Sequence, residues 1–162
     1  MKRKVLPLIL TIVVFVLDQL TKLWAQGLGD ARLVLIPGVV GLRYAENTGM
    51  AFSLLSGRPW LLGVLSAGLI LLGALVLRRY RLGTLPSVAA MLMLGGAAGN
   101  MLDRLLRGYV VDMVETLFIQ FPIFNLADAC LTVGCVLMAW SLIFRPKDWS
   151  EKKHGDTEGN AV

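Results

Sequence analysis

Two aspartates, Asp112 in GYVVDMVE and Asp128 in FNLADA, have the ingredients for hydrolysis without histidine. If two carboxyls approach closely enough to share a proton, their like charges drive the apparent pKa values apart. One base and one acid then coexist near neutral pH. The base takes a proton from water as it attacks a peptide carbonyl, while the acid hydrogen-bonds the developing oxyanion and later helps to protonate the leaving amine. Alone, Asp112 reads as an ordinary loop carboxylate, and only pairing with Asp128 raises it. Which of the two starts protonated is open at this level.

More polar residues stand at helical spacing inside apolar stretches. Asp18 and Lys22 are four apart, Asn100 precedes Asp103 and Arg104 by three and four, and Asn125 precedes Asp128 by three, so each set shares a helix face. For Asp18 and Lys22 an intrahelical ion pair is favoured over contact with a substrate. Asp103 and Arg104 also suit boundary anchors with a snorkelling arginine, and Asn100 and Asn125 suit interhelical hydrogen bonding. Other chemistries are poorly supplied. The single histidine, His154, lies in a polar C-terminal stretch, which disfavours Ser-His, Cys-His and HExxH sites. Cys130 and Cys135 sit in an apolar run with no ligand pattern, and are expected to be small buried hydrophobes. The formal charge of +5 does not point to nucleic acid, because the basic residues cluster beside apolar stretches rather than on a soluble face.

The elements that position these groups must live in a membrane. Of the 162 residues, 56% are hydrophobic and 17% charged, which fits one membrane-embedded domain over residues 1–146 and a polar, mobile cytoplasmic tail over 147–162. Four spanning helices are expected at about 5–25, 59–77, 85–104 and 122–144. The basic start and first apolar run also resemble a removable signal, but Asp18, Lys22 and Trp24 make a poor cleavage region, so an uncleaved span is expected. Ten Lys and Arg residues flank the spans on one side and five on the other, which puts both termini in the cytoplasm.

Depth then follows from the helical rise. Asp18 lies about 20 Å and Asn100 about 22 Å from the inner boundary of a core about 30 Å thick, and Asn125 and Asp128 lie within about 10 Å of the outer end of the fourth span. Three helices thus bring polar groups to one level below the outer surface, which implies a shared polar cavity, because a charge in hydrocarbon costs about 2.5 to 3.5 kcal/mol. Asp112 is close enough to fold back over that level. Outside the membrane, residues 30–56 suggest short strands broken by Pro37, Gly38 and Gly41. Residues 105–120 suggest a brief amphipathic helix. Trp24, Trp60 and Trp140 fit interface anchors, and Gly95, Gly96 and Gly99 fit close helix packing. A proton-coupled carrier would bind near the midplane, and a non-catalytic assembly subunit would need the polar groups only for helix association. The GxGD pattern of other intramembrane aspartyl proteases is absent.

Five blocks in order, DQLTK at 18–22, NTGMAFS at 47–53, GNMLDR at 99–104, VVDM at 110–113 and FNLADA at 124–129, resemble the lipoprotein signal peptidases, or signal peptidase II. The resemblance implies a fold of four transmembrane helices with a small extracytoplasmic sheet forming a cradle, and a lid-like helix after the third span. It implies an aspartyl endopeptidase of the cytoplasmic membrane with its site near the outer face, acting as a monomer without metal or organic cofactor. Its substrates would be prolipoproteins, cut N-terminal to a diacylglyceryl-modified cysteine, and globomycin would inhibit it. Membrane lipids would be its surroundings, and nucleic acid no partner. Asp112 and Asp128 would be the catalytic pair. Asn47, Asn100, Arg104 and Asn125 would hold the substrate backbone or the catalytic carboxylates, with Asp18 and Asp103 as supports. Met50 and Met113 depart from the family's frequent alanine and aromatic residue, which bears on lipid or signal-sequence preference rather than on activity.

Overall fold

The computed structural model describes residues 2–49 and 57–151, with side chains from Ile9 onward. Four long helices dominate: α1 (Lys2–Gln26), α2 (Pro59–Arg79), α3 (Thr84–Leu106) and α4 (Leu126–Phe144). Each is long and apolar enough to cross a membrane. The chain is therefore a multi-pass membrane protein, mainly helical.

Helix α3 is central and packs against the other three. Its small residues permit this approach, in line with the expectation for Gly95, Gly96 and Gly99. A Cβ on Gly96 would meet the Ala127 carbonyl oxygen of α4 at 2.5 Å, so even alanine would push these two helices apart. Helix α2 is the most peripheral, burying only Leu62 and Gly63. In lipid its exposed leucines need no protein partner, because acyl chains are as apolar as they are.

Around the end of α3 that carries Asn100 and Asp103 lies a three-stranded antiparallel sheet in the order β1–β2–β4. It comprises β1 (Arg32–Ile36), β2 (Val40–Asn47) and β4 (Val110–Thr116). The first two are the strands expected from residues 30–56. Residues 105–120 are different: in place of a brief helix or a lid after the third span, they supply β4. The pairing of Asp112 with Ala45 and Val110 with Asn47 explains why, since a Val-rich segment gains a ladder of backbone hydrogen bonds from β2 that no amphipathic turn would supply. Beyond β4, Phe124 bridges Val114, so the apolar run 121–124 is extended and α4 starts later than expected, at Leu126. Behind the sheet, Ala25, Val111 and Met113 form a small core with Tyr44 and Tyr109 packed on it.

At the other end of the bundle, β3 (Tyr80–Leu82) pairs with β5 (Trp149–Glu151). The start of the polar C-terminal stretch is thus a 3-10 turn and a strand; His154 and the rest of that stretch lie outside the described residues. Trp149 seats its indole N–H on Ser141 Oγ at 3.1 Å and packs edge-on against Tyr80. Trp24, Trp60 and Trp140 are all exposed, as interface anchors must be. The two cysteines are unpaired, and neither is buried: Cys130 is half-buried and Cys135 exposed. Among the described residues, one face of α4 has no helix beside it, and it meets lipid.

Candidate active site

Three helices and two strands converge on a buried polar layer. Asp18 and Lys22, on one face of α1, are both fully buried. Lys22 Nζ lies 2.8 Å from Asp18, 2.8 Å from Asp103 of α3, and donates to Asn100 Oδ1 at 2.8 Å. One ammonium, three donors and three acceptors leave this cation satisfied in a dry setting. The second carboxylate has further support, for Asp103 also pairs with Arg107 and accepts from the Val111 amide, and Gln19 Nε2 lies 3.3 Å from both aspartates. Asp18 in turn accepts the Ala127 amide at 2.9 Å, satisfying a free N–H in the first turn of α4. Gly99 is what lets it reach there, since a side chain at that position would collide with the Asp18 carboxylate.

Upon this layer stand Asp112 and Asp128, joined through Asn125. The asparagine caps α4: its Oδ1 accepts the Asp128 amide at 2.9 Å while Asp128 Oδ2 accepts the Asn125 amide at 3.3 Å, a reciprocal capping box. The same residue donates through Nδ2 to Asp112 Oδ1 at 2.6 Å. Asn47 of β2 donates to the other oxygen, Asp112 Oδ2, at 2.9 Å, and Asn100 donates to Asp128 Oδ1 at 2.7 Å. Each carboxylate is therefore gripped by side-chain amides, with its orientation set from outside its own element.

Burial marks out Asp112. Burial pushes the Asp112 carboxyl up to about 6; the nearby Asp128 charge acts in the same direction, and the hydrogen bonds from Asn47 and Asn125 oppose it. Asp128 sits at the third residue of α4, fixed there by the capping box with Asn125. Arg104 stands by both, reaching the Gly49 carbonyl at 3.0 Å and the Asn100 carbonyl at 3.5 Å. Its Nε is the one buried side-chain nitrogen or oxygen without a hydrogen-bond partner among the described residues. No group of three His, Cys, Asp or Glu able to hold a metal occurs among them either.

A family model described as signal peptidase (SPase) II matches residues 10–144. The chain belongs to the signal peptidase II family. Among similar proteins, the lipoprotein signal peptidase of Streptococcus agalactiae serotype Ia is 36% identical over 157 residues, covering 95% of this chain and 98% of that one. That of Streptococcus pyogenes serotype M6 is 37% identical over 165 residues, with 96% and 100% covered. Of solved structures, a bacterial membrane enzyme determined by the in meso method at 2.3 Å resolution superposes with a TM-score of 0.76 at 27% identity, covering 84% of this chain and 86% of that one. A second, at 1.9 Å, gives 0.74 at 27% identity with 86% and 93% covered. The family is one of peptidases.

In this signal peptidase II chain, the eight residues singled out by sequence, Asp18, Asn47, Asn100, Asp103, Arg104, Asp112, Asn125 and Asp128, all fall in or against the one polar layer. Asp18 and Lys22 do form the intrahelical pair, and Asp103 is a buried partner of that lysine rather than a boundary anchor. Lys22 proves to be the hub of the layer, a wider role than its i,i+4 spacing indicated. Gln19, Arg107 and the Ala127 amide went unnoticed. Only the position of Gln19 inside an apolar span could have drawn attention to it. Met113 is buried in the core behind the sheet, and Met50 lies outside the described residues.

Proposed function

We propose that the protein is an aspartyl endopeptidase that removes signal peptides from prolipoproteins, cleaving N-terminal to a diacylglyceryl-modified cysteine with Asp112, Asp128 and water. The observation that carries this reading is Asn125, which grips Asp112 through its side chain while locking Asp128 into the first turn of α4. Two carboxylates from different elements are thereby held as one unit. Asp112, whose carboxyl burial pushes up to about 6, serves as acid in its protonated form; Asp128 serves as base and deprotonates the attacking water. As the tetrahedral oxyanion forms, the Asp112 hydroxyl donates to it. On collapse, the proton taken from water passes to the leaving amine.

Arg104 supplies the unpartnered N–H that a substrate carbonyl needs beside the dyad. Asn47 and Asn100 keep the two carboxyls turned toward it. The names of the streptococcal relatives support the substrate class. By the distribution of basic residues, both termini are cytoplasmic and the dyad lies near the outer face, where a lipid-anchored cysteine would bring its neighbouring bond. The protein works as a monomer, with no metal or organic cofactor.

Purified protein in detergent should cleave a diacylglyceryl-modified prolipoprotein fragment and leave its unmodified counterpart intact, and globomycin should block the reaction. Asp112→Asn and Asp128→Asn should each abolish cleavage while the protein still melts cooperatively. Retained turnover in either variant would overturn the site assignment, and cleavage of the unmodified fragment at equal rate would overturn the substrate class.

A further inference from the structure

The sheet offers a second constellation, centred on Glu115, three residues along β4 from Asp112. Arg32 of β1 and Arg43 of β2 are directly paired across the strands, an arrangement of like charges that is unfavourable unless something lies between them. Glu115 of β4 does: its Oε2 takes Arg32 Nε at 2.9 Å and its Oε1 takes Arg43 Nε at 3.3 Å. Both contacts run through Nε, so the terminal nitrogens of two guanidiniums, 54% and 48% exposed, remain for a ligand. Two cations against one carboxylate leave a positive charge. Asp30 lines the cavity on the far side of the arginines, so an anion is directed to the other side.

On that other side the arginines and Glu115 open onto a groove of about 630 Å³. Its wall is apolar, with Leu117, Phe118, Phe121 and Ile123 leading from β4 toward α4. The strand beside it is equally unusual. In β1 the successive residues Leu33, Val34, Leu35 and Ile36 are all exposed, so both faces of an edge strand are apolar and uncovered. Water would make such an edge prone to aggregate, and the hydrocarbon core would leave its free backbone groups unsatisfied. The headgroup layer meets both requirements. The groove is at that level, because it lies between the end of α3 at Leu106 and the start of α4 at Leu126.

We propose that Arg32, Arg43 and the groove beside them seat an anionic phospholipid of the bilayer, the two guanidiniums holding its phosphodiester and the Phe118–Ile123 wall taking the start of its acyl chains. Guanidinium forks match phosphate oxygens, and Phe rings with aliphatic neighbours match the glycerol–acyl boundary. The bound lipid fixes the height of the sheet in the membrane. Since β2 carries Asn47 and β4 carries Asp112, it also fixes the depth of the Asp112 carboxyl.

The test is independent of peptide cleavage. Parent protein is incubated in mild detergent with equal amounts of phosphatidylglycerol and phosphatidylcholine, and the retained lipid is read by native mass spectrometry. The parent should retain phosphatidylglycerol preferentially, and Arg32→Gln/Arg43→Gln should weaken that retention by about tenfold or more, the equivalent of at least one charge-assisted hydrogen bond. Glu115→Gln keeps both guanidiniums and removes the competing carboxylate, so it should tighten retention, which guards against a double variant that fails to fold. Equal retention by parent and double variant, or weaker retention by Glu115→Gln, would overturn the proposal. So would displacement of the lipid by millimolar inorganic phosphate, which would assign the arginines to a soluble anion.

Discussion

Asn125 makes two demands of one amide side chain, closing the cap of α4 and holding Asp112. Replacing it with alanine removes both. The lost cap alone costs about 1 kcal/mol, and Asp112 Oδ1 loses its shortest hydrogen bond. Asn125→Ala should therefore melt lower in detergent and cleave a lipidated substrate at least about tenfold more slowly, from loss of positioning of the acid. Asp112 itself predicts a pH profile. Its carboxyl, pushed up to about 6 chiefly by burial, holds its proton below that value and releases it above. Because the protonated form is the acid in the proposed mechanism, kcat/KM should decline on the alkaline side with a midpoint of about 6. A rate that rises through that range would assign the base to Asp112 instead.

At the scale of elements, one buried ammonium, with the Gln19 amide beside it, ties α1 to α3. Lys22→Met would leave Asp18 and Asp103 buried without their shared cation, a loss of about 3–5 kcal/mol for breaking a buried pair from one side. Thermal unfolding in detergent should show a large fall, and Asp18→Asn should be milder because Lys22 keeps Asp103. Gly96→Val should separate α3 from α4 and shift Asp128 away from Asn100, reducing both melting temperature and cleavage. The four helices were legible in the sequence because hydropathy over about 20 residues is a property of each segment alone. So were Asp18, Lys22, Asp103 and Asp128, since a charge inside such a segment has few structural excuses, whereas Asp112 gained weight only by pairing with Asp128. What stayed hidden depends on partners distant in the chain. The VVDMVET segment becomes a strand only because β2 lies beside it, and Trp149–Glu151 only because β3 does. The apolar run 121–124 looks helical by hydropathy, yet the Asn125 cap and the Phe124 bridge exclude it from α4. Lys22 showed its i,i+4 partner in the sequence but not its partner on α3, 81 positions away at Asp103.

The molecule as a whole has two ends of different purpose. The sheet with the carboxylates lies at one end of α3, and the β3–β5 clasp lies at the other, about 33 Å away along a helix of 23 residues. Truncation after Arg145 should therefore lower the melting temperature, through loss of the Trp149 contacts with Ser141 and Tyr80, while leaving turnover of a saturating substrate near that of the parent. A large loss of turnover would instead link the two ends. The pairing of Asp18 with Lys22 also bears on how such a chain enters a bilayer at all. During synthesis α1 emerges long before α3, yet its acid and base already neutralise one another within a single turn. Beyond its basic start, the first helix can thus leave the translocon as a lone, nearly neutral span and wait in the lipid with a prepared receptor. When Asp103 arrives, it completes a docking event rather than burying a bare charge.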